Sequence, residues 1–197
     1  MTDIRIEAAA GIPWADVEHA FTGGGDGGSC WCQWFTIPRR SFSAATTDER
    51  RELLAREVAA PVSPGLVAYV DNEAAAWMRV GPRADLPTLL RSRVVTAGSG
   101  EPVDDRRVWA ITCFVVRREH RGRGVAKRLV DAGVAFAASH GARVVEAYPF
   151  DTDTDTGARR VNDLYVGTVR LFGDRGFVET SRPTAARVVM TRDLTAV

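Results

Sequence analysis

Apolar residues recur along the chain with two different periods. Seven short runs have the length and the branched or aromatic content that are typical of β-strands. They cover residues 4–7, 66–70, 74–80, 108–116, 144–148, 178–181 and 187–192. Apolar positions spaced three or four residues apart predict helices over residues 13–21, over 123–140 and over 166–174. The capping box Thr46-Thr47-Asp48-Glu49 predicts the start of a further helix that stops at Pro61.

Turn residues separate these segments. Asp71-Asn72-Glu73 joins two apolar runs and predicts a hairpin. Residues 23–29 are predicted to form a loop, because their glycines disfavour both helix and strand. Residues 82–105 are predicted to be mostly loop with a short helix near Leu89, and the acidic stretch 151–156 is predicted to be another loop.

The order of these elements predicts the fold class. Strands in hairpins, together with one strand–helix–strand crossover over residues 108–148, indicate an α/β fold. We expect a mixed, mostly antiparallel central sheet with helices on both faces. Because no internal repeat and no linker divides the chain, residues 1–197 are expected to form a single domain.

The composition is that of an ordinary folded domain. Of 197 residues, 45% are hydrophobic and 26% are charged, which excludes a disordered chain. No apolar run approaches the ~18 residues of a membrane helix, and the amino end lacks the pattern of a secretory leader. Three cysteines, an odd number, argue against a disulfide scaffold. We therefore expect a cytoplasmic protein that does not bind membranes.

Charge is balanced overall but concentrated in one place. The chain has 26 basic and 25 acidic residues, a net charge of +1, which argues against a nucleic-acid partner. Between Arg117 and Arg128, however, six bases stand against one acid, Glu119. This local excess predicts one anion site.

The basic segment joins a predicted strand to a predicted helix through a turn that contains Gly122 and Gly124. Amides at the start of a helix lack intrachain acceptors, and the helix dipole adds positive potential there. Since glycines let an anion approach closely, the segment is predicted to bind a pyrophosphate or a comparable anion. The alternative is a solvated basic helix start. The segment has neither the Gly-Lys-Ser/Thr of a Walker A loop nor the Gly-x-Gly-x-x-Gly of a dinucleotide fold.

Residues 121–126, Arg-Gly-Arg-Gly-Val-Ala, resemble the Arg/Gln-x-x-Gly-x-Gly/Ala signature of the GNAT superfamily, the acyl-CoA-dependent N-acetyltransferases. The strand before this signature and the helix and strand after it stand at the family's spacing. Residues 171–177, Leu-Phe-Gly-Asp-Arg-Gly-Phe, are similar to the family's late helix and its Gly-Phe ending. The resemblance covers about residues 65–193.

The resemblance implies acetyl-CoA as co-substrate and the positions that would hold it. Backbone groups of Phe114 and Val116 would face the pantetheine arm, which inserts between splayed strands. A backbone amide near Val115 would stabilise the oxyanion that forms when an amine attacks the thioester. The pyrophosphate would be bound by the turn, which consists of Arg121, Gly122, Arg123, Gly124, Val125 and Ala126.

Two positions depart from the family pattern. Where many relatives have a tyrosine acid in the late helix, this chain has Phe172, and where some have a glutamate base on the long strand it has Ala110. The candidate replacements are Tyr165, Glu146, Tyr148 and Asp105. A CoA thiol leaves without obligatory acid help, so the departures do not exclude catalysis. A catalytically silent acyl-CoA-binding module stays open as the alternative.

The segment Cys30-Trp31-Cys32 admits two interpretations. No metal is expected, because no further Cys or His stands at metal-ligand spacing. The segment either packs in the core or, since the resemblance places it beside the acceptor, contributes to a substrate-pocket wall. On the second interpretation the wall is formed by Trp31, Trp34 and Phe35.

Three further features have expected roles. Cys113 is expected to be an inert packing residue, because its strand neighbours supply no base. His120 is expected at the rim of the anion site. Stretch 151–156 is expected to be solvated, with attraction of a cationic amine as the alternative.

These features together predict the reaction. We expect transfer of an acetyl group from acetyl-CoA to a primary amine of a small molecule or protein, by direct attack in a ternary complex. A homodimer is compatible with the sequence.

Overall fold

A computed structural model describes residues 3–23, 27–153 and 161–195 of the chain. Within these residues seven strands form one sheet in the order β1-β2-β3-β4-β5-β7-β6. The strands are β1 (Ile4–Ala8), β2 (Gly65–Val70), β3 (Glu73–Pro82), β4 (Val108–Val116), β5 (Val144–Ala147), β6 (Val178–Thr184) and β7 (Arg187–Asp193). All neighbouring strands are antiparallel except β4 and β5. The expected mixed, mostly antiparallel sheet is confirmed.

Helices cover both faces of the sheet, as expected. They are α1 (Trp14–Ala20), α2 (Gly27–Cys30), α3 (Arg39–Ala44), α4 (Thr47–Val58), α5 (Pro87–Leu90), α6 (Arg93–Thr96), α7 (Val125–Ser139) and α8 (Val169–Gly173). Buried side chains of α7 and α8, such as Leu129 and Phe172, pack on one face with Met78 and Ile111. Helices α1 and α4 pack on the opposite face, around Trp77.

Helix α4 starts where the capping box predicts. The Thr46 side chain accepts a hydrogen bond from the Glu49 amide, and the Glu49 carboxylate accepts one from the Thr46 amide. Two backbone donors that the helix itself leaves free are thereby satisfied. Buried Leu54 and Val58 then fix the helix on the sheet.

The hairpin between β2 and β3 turns through two left-handed residues, Asp71 with φ 50° and Asn72 with φ 68°. Two consecutive positive φ angles define a type I′ turn, whose twist matches that of the flanking strands in a two-residue hairpin. Apart from glycine, Asn and Asp tolerate this conformation best. The hairpin predicted from residues 71–73 is confirmed.

The structure corrects two sequence predictions. Residues 27–29, predicted as loop, form with Cys30 the single-turn helix α2, whose Gly27 carbonyl accepts a hydrogen bond from the Trp31 amide at 2.9 Å. Gly27 lies against Val115, where an added Cβ would come within 2.9 Å of the valine side chain, so close packing rather than helix propensity determines this turn. Residues 24–26 of the predicted loop lie outside the described residues. The predicted loop 82–105 contains α6 as well as the expected short helix at Leu89.

The acidic stretch is partly described. Asp151 is buried and its carboxylate accepts a hydrogen bond from Arg182 at 2.7 Å, so at this residue the expectation of a solvated loop is wrong. Residues 154–156 lie outside the described residues. Among the residues that are described, no helix is both long and apolar enough to cross a membrane.

Candidate active site

The sheet splits after the fourth pair of β4 and β5. The parallel pairing runs from Val108 with Val144 to Ile111 with Ala147 and then stops. Strand β4 continues alongside β3 to Val116, while the chain beyond β5 turns to form bridges from Phe150 to Thr168 and Arg187. A wedge-shaped gap therefore opens beside residues 112–116, and the backbone of β4 on that side of the gap has no strand partner among the described residues.

A β-bulge lies at the start of this gap. Opposite β3, the register slips so that Arg79 pairs with Cys113 and Val80 with Ile111, which leaves Thr112 as the extra residue. The bulge changes the alternation of side chains, so that Ile111 and Phe114 both pack on the α7 face while Cys113 packs on the opposite face. The Thr112 hydroxyl is buried and has no hydrogen-bond partner within the described part of the chain.

The gap has apolar walls. Phe114 packs on Phe172 with ring centroids 6.0 Å apart, and both rings lie next to the position that a Cβ on Gly167 would occupy. Gly167 has φ 83°, and an added Cβ would come within 2.7 Å of Phe172. Phe172, at the position where the resemblance implies a tyrosine, is fully buried and packs in the core.

The basic turn at the mouth of the gap presents backbone amides to solvent. Gly122 and Gly124 have φ of 75° and 81°, and neither has another atom within 4 Å of the position of a Cβ. Gly124 is the N-cap of α7 and has no side-chain cap. The amide of Arg128 donates to the Gly124 carbonyl at 3.2 Å, so the three amides before it, at residues 125–127, have no helical acceptor. The predicted helix start at residue 123 is two residues early, because Gly124 is left-handed.

Charged side chains hold this turn in place. Arg121 donates from Nε to the Val116 carbonyl at 3.0 Å, which ties the turn to the end of β4. Lys127 donates to Asp174 at 2.8 Å, which ties α7 to the end of α8. Arg121, Gly122, Arg123 and Gly124 are all exposed, so the amides and guanidinium groups of this turn are open to an anion.

An ion cluster lies beneath the turn. The Glu73 carboxylate accepts hydrogen bonds from His19, Arg117 and His120, and these donors lower the pKa of Glu73 to about 2. His120 is buried, so the expectation that it lies at the rim is wrong. Ligand atoms of Glu73, Glu119 and His120 lie within 4.8 Å of one another, but the Arg117 guanidinium contacts both carboxylates. Its positive charge stands where a metal ion would have to bind.

Glu146 is held in a buried network. Its carboxylate accepts hydrogen bonds from Arg83 at 2.7 Å, from Ser99 at 2.6 Å and from the Tyr148 hydroxyl at 2.5 Å. Arg83 and Glu146 are fully buried, and Arg83 also donates to the carbonyls of Glu101 and Pro102. The network attaches the segment between β3 and β4 to β5. Burial, and then the adjacent Glu146 charge, raise the pKa of Tyr148 well above its usual range.

Asp105 belongs to a second, outer ion group. Its carboxylate accepts a hydrogen bond from Arg143 at 2.8 Å and from the Arg107 amide at 2.9 Å. These bonds lower the pKa of Asp105 to about 2. A carboxylate this weakly basic is a poor proton acceptor at neutral pH.

Tyr165 lies on the other side of β4 from α7, where it packs near Cys113 and Val115. Its ring is 6.3 Å from Phe35, and Tyr165 and Phe35 share an apolar cluster with Tyr148 and partly buried Trp34. None of the described residues forms a hydrogen bond with its hydroxyl. Burial, followed by the neighbouring Cys113, raises the pKa of Tyr165 to about 12.

The structure separates the three predicted pocket aromatics. Trp34 and Phe35 belong to one cluster, whereas Trp31 is buried in another and stacks on Phe21 with ring centroids 4.9 Å apart; Tyr165 packs against both clusters. Sequence reasoning missed Arg83 and Ser99, which fix Glu146, and it missed the bulge at Thr112. Arg83 and Glu146 are 63 positions apart in the sequence, and no local pattern connects them.

The geometry fits an acyl-CoA. Free amides at a helix start suit a pyrophosphate, and an unpaired strand edge beside apolar walls suits a thin chain with amide groups. The unpartnered Thr112 hydroxyl shows that a polar group of this gap still has hydrogen-bonding capacity.

Comparison with known proteins agrees with this geometry. The acetyltransferase (GNAT) family matches residues 31–165, more than half of the chain. No protein with a curated description matches the sequence significantly.

Solved structures share the fold at low identity. An N-acetyltransferase from Staphylococcus aureus Mu50 has a TM-score of 0.56 at 12% identity, over 98% of this chain and 99% of that one. The PaiA N-acetyltransferase from Thermoplasma acidophilum, in complex with coenzyme A, has a TM-score of 0.54 at 12% identity, over 97% and 99%. A Salmonella typhimurium protein solved with its cofactor acetyl-CoA has a TM-score of 0.52 at 16% identity, over 100% and 95%.

Proposed function

Because this chain belongs to the acetyltransferase (GNAT) family, whose co-substrate is acetyl-CoA, we propose that it transfers the acetyl group to a primary amine by direct attack in a ternary complex. The proposal rests on the relative position of two features, the glycine turn and the gap beside β4. The left-handed turn at Gly122 and Gly124 presents free amides at the mouth of the gap, and the gap leads from that turn along β4 to the bulge at Thr112.

Each part of this path has a role in binding. The amides of residues 122–127 bind the pyrophosphate, and Arg121 and Arg123 add positive charge around it. Backbone groups of Phe114 and Val116 bind the pantetheine arm along the free edge of β4. The thioester then lies near Val115 and the bulge. There a backbone amide donates a hydrogen bond to the carbonyl oxygen, which becomes negatively charged during attack. Such preorganised donors contribute about 3 kcal/mol to transition-state stabilisation.

Proton transfers accompany the attack. The amine nitrogen bonds to the carbonyl carbon, the carbon–sulfur bond breaks, and the nitrogen loses a proton to water. We assign Tyr165 as the acid that protonates the departing thiolate and then regains a proton from water, since its hydroxyl is protonated at neutral pH and is free within the described structure. Glu146 and Tyr148 are then positioning residues, because every described contact of their polar groups is within the Arg83 network.

The acceptor reaches the thioester from the Tyr165 side of β4. Trp34 and Phe35 form the apolar wall nearest Tyr165, so an acceptor with an apolar or aromatic body next to its amine suits this surface. Trp31 has a structural role in this proposal, because it is stacked in the core.

The test is an amine-panel assay that detects the released CoA thiol. We expect at least one primary amine to be acetylated, with initial-rate plots against the two substrates that intersect. Cys113→Ala is expected to stay active, because direct attack needs no acyl-enzyme. Parallel plots together with an acetylated Cys113 would contradict direct attack. If calorimetry shows acetyl-CoA binding while no amine in the panel releases thiol, the silent binding module is the better description.

A further inference from the structure

Two of the three cysteines meet on the face of the sheet opposite α7. Cys32 follows α2 and Cys113 lies in β4 next to the bulge, and both side chains belong to the buried cluster around Trp77, where each thiol shifts the pKa of the other. Both residues are buried, at 4% and 8% exposure. All three cysteines are free, and Cys30 is more exposed than the other two.

The backbone before this contact is unusual. Trp31 and Cys32 both have left-handed conformations, with φ of 47° and 58°. Non-glycine residues in this region cost about 1–3 kcal/mol each, and such costs persist where surrounding structure requires the conformation. This turn brings the Cys32 sulfur onto the face of the sheet, against Trp77.

Donors around Cys32 favour its thiolate. Trp77 donates from Nε1 to the Cys32 sulfur at 3.3 Å, and the Arg79 guanidinium, 4% exposed, interacts with it from the strand position opposite Cys113. Burial raises the pKa of Cys32, but the neighbouring Cys113 thiol and the charge of Arg79 outweigh it and lower the pKa to about 7. The neighbouring Cys32 thiol, and then burial, raise the pKa of Cys113.

We propose that Cys32 and Cys113 are a redox-active thiol pair that a small peroxide converts to a disulfide. The Cys32 thiolate attacks one oxygen of hydrogen peroxide, the oxygen–oxygen bond breaks, and one water leaves after protonation, which gives a sulfenic acid on Cys32. The Cys113 thiol then attacks the Cys32 sulfur and displaces a second water. Two thiols are oxidised by two electrons and one peroxide is reduced to two waters.

The Arg79 side chain also lines a cavity. It has a volume of about 280 Å³ and is lined by Arg79 together with Thr36, Glu57 and Ser63. The Ser63 hydroxyl and the Arg79 Nε are buried and have no hydrogen-bond partner among the described residues. Since Arg79 lines the cavity and interacts with Cys32, we infer that a molecule as small as hydrogen peroxide reaches Cys32 past this side chain.

Disulfide formation affects the site described above, and this part of the inference rests on the proposed function. Cys113 lies between Thr112 and Phe114, so a covalent link to Cys32 fixes β4 to the segment that follows α2, at the end of the gap where the thioester is placed. The pyrophosphate turn at Gly122 and Gly124 is at the other end of the gap. Oxidation is therefore expected to reduce acetyl transfer while CoA still binds.

The experiment treats the reduced, folded full-length chain with hydrogen peroxide and maps its peptides by mass spectrometry. We expect a Cys32–Cys113 link with the loss of two hydrogen atoms, and recovery of both thiols after dithiothreitol. In Cys113→Ser the link is expected to be absent and dimedone is expected to label a sulfenic acid on Cys32. Cys30→Ser is the matched control and is expected to form the link as the wild type does.

The same samples test the consequence for activity. Acetyl transfer is expected to be lost on oxidation and restored by dithiothreitol in the wild type and in Cys30→Ser. A link that joins Cys30 instead, or thiols that stay reduced in the folded chain, would overturn the assignment. The mass and dimedone measurements need no acetyl transfer, so they decide on the thiol pair even if the proposed reaction is wrong.

Discussion

Two glycines at opposite ends of α7 have nearly the same backbone and different expected roles. Gly124 (φ 81°) and Gly141 (φ 77°) are both left-handed with open space around them, but only Gly124 lies in the basic turn. We expect Gly124→Asp to weaken CoA binding about tenfold or more, which is ~1.4 kcal/mol, because it adds bulk and negative charge where a phosphate must approach amides.

Gly141→Asp is the control for this prediction, since it carries the same left-handed strain far from the turn. Calorimetric titration with CoA and with desulfo-CoA measures both variants, and desulfo-CoA should bind the wild type as CoA does because the pyrophosphate contacts need no thiol. Unchanged affinity in a folded Gly124→Asp variant would remove the turn from the binding site.

Two tyrosines near the gap allow the acid to be identified by comparison. Tyr165→Phe is expected to lower turnover roughly 10²-fold, the lower end for loss of a general acid, with little change in stability. Tyr148→Phe is expected instead to lower the free energy of unfolding by about 1.5–3 kcal/mol, because its buried hydroxyl donates to the charged Glu146.

The pH profile adds a check on Tyr165. Because the pKa of Tyr165 is raised to about 12, its hydroxyl stays protonated across neutral and mildly alkaline pH. Ionisation of Tyr165 should therefore cause no loss of the wild-type rate in that pH range. Steady-state rates and urea unfolding separate the two variants. Full activity of Tyr165→Phe at every pH would exclude it as the acid.

At the scale of elements, the buried Arg83–Glu146 pair attaches the segment between β3 and β4 to β5. Arg83→Met is expected to cost about 3–5 kcal/mol of unfolding free energy, because it leaves the Glu146 charge buried without its counter-charge. The double variant Arg83→Met/Glu146→Gln removes both charges and keeps one acceptor oxygen for Tyr148 or Ser99. It should be more stable than the sum of the two single effects predicts.

Activity of the double variant decides what Glu146 does. If Glu146 is a positioning residue, the folded double variant transfers acetyl groups at a rate close to the wild type. A folded, stable double variant without turnover would show that Glu146 acts as a base.

The same scale shows which elements the sequence predicts. Strand β4 lies at residues 108–116, as its long branched and aromatic run predicts, and α4 begins at its capping box, because both signals are local. The bulge at Thr112 depends on how β4 pairs with β3, so the local pattern of β4 does not contain it. Helix α2 is one turn long, and it depends on the close tertiary contact of Gly27 with Val115. The glycines of this segment predict a loop, so the local sequence does not indicate the helix.

The candidate site divides in the same way. The anion turn could be predicted, because Gly122, Gly124 and the start of α7 are neighbours in the sequence. Glu146 was a reasonable candidate as a carboxylate near the gap, but Arg83 and Ser99 reach it from 63 and 47 positions away. Long-range partners of this kind determine whether a buried carboxylate is free to exchange protons.

For the whole molecule, the sheet consists of two parts that meet along a short contact. Strands β1–β4 form one part and β5–β7 the other, and their strands pair only over four residues of β4 and β5. Helix α7 connects β4 to β5 along the chain, and the buried Arg83–Glu146 pair links the two parts. An acyl-CoA in the gap would contact both sides of the split.

Ligand binding should therefore stabilise the molecule across this split. At a concentration 100 times its Kd, acetyl-CoA is expected to raise the unfolding free energy by about 2.7 kcal/mol, provided that it binds only the folded chain. Hydrogen exchange should slow at residues 112–116 as well as at the amides of residues 122–127, because the ligand occupies the free edge of β4 and the start of α7. At the same ligand concentration, a tenfold weaker Kd in Gly124→Asp should reduce the stabilisation to about 1.4 kcal/mol and reduce the protection from exchange, and Gly141→Asp should keep both effects. Protection of the turn alone, with unchanged exchange at 112–116, would mean that the anion site binds a phosphate without a chain entering the gap.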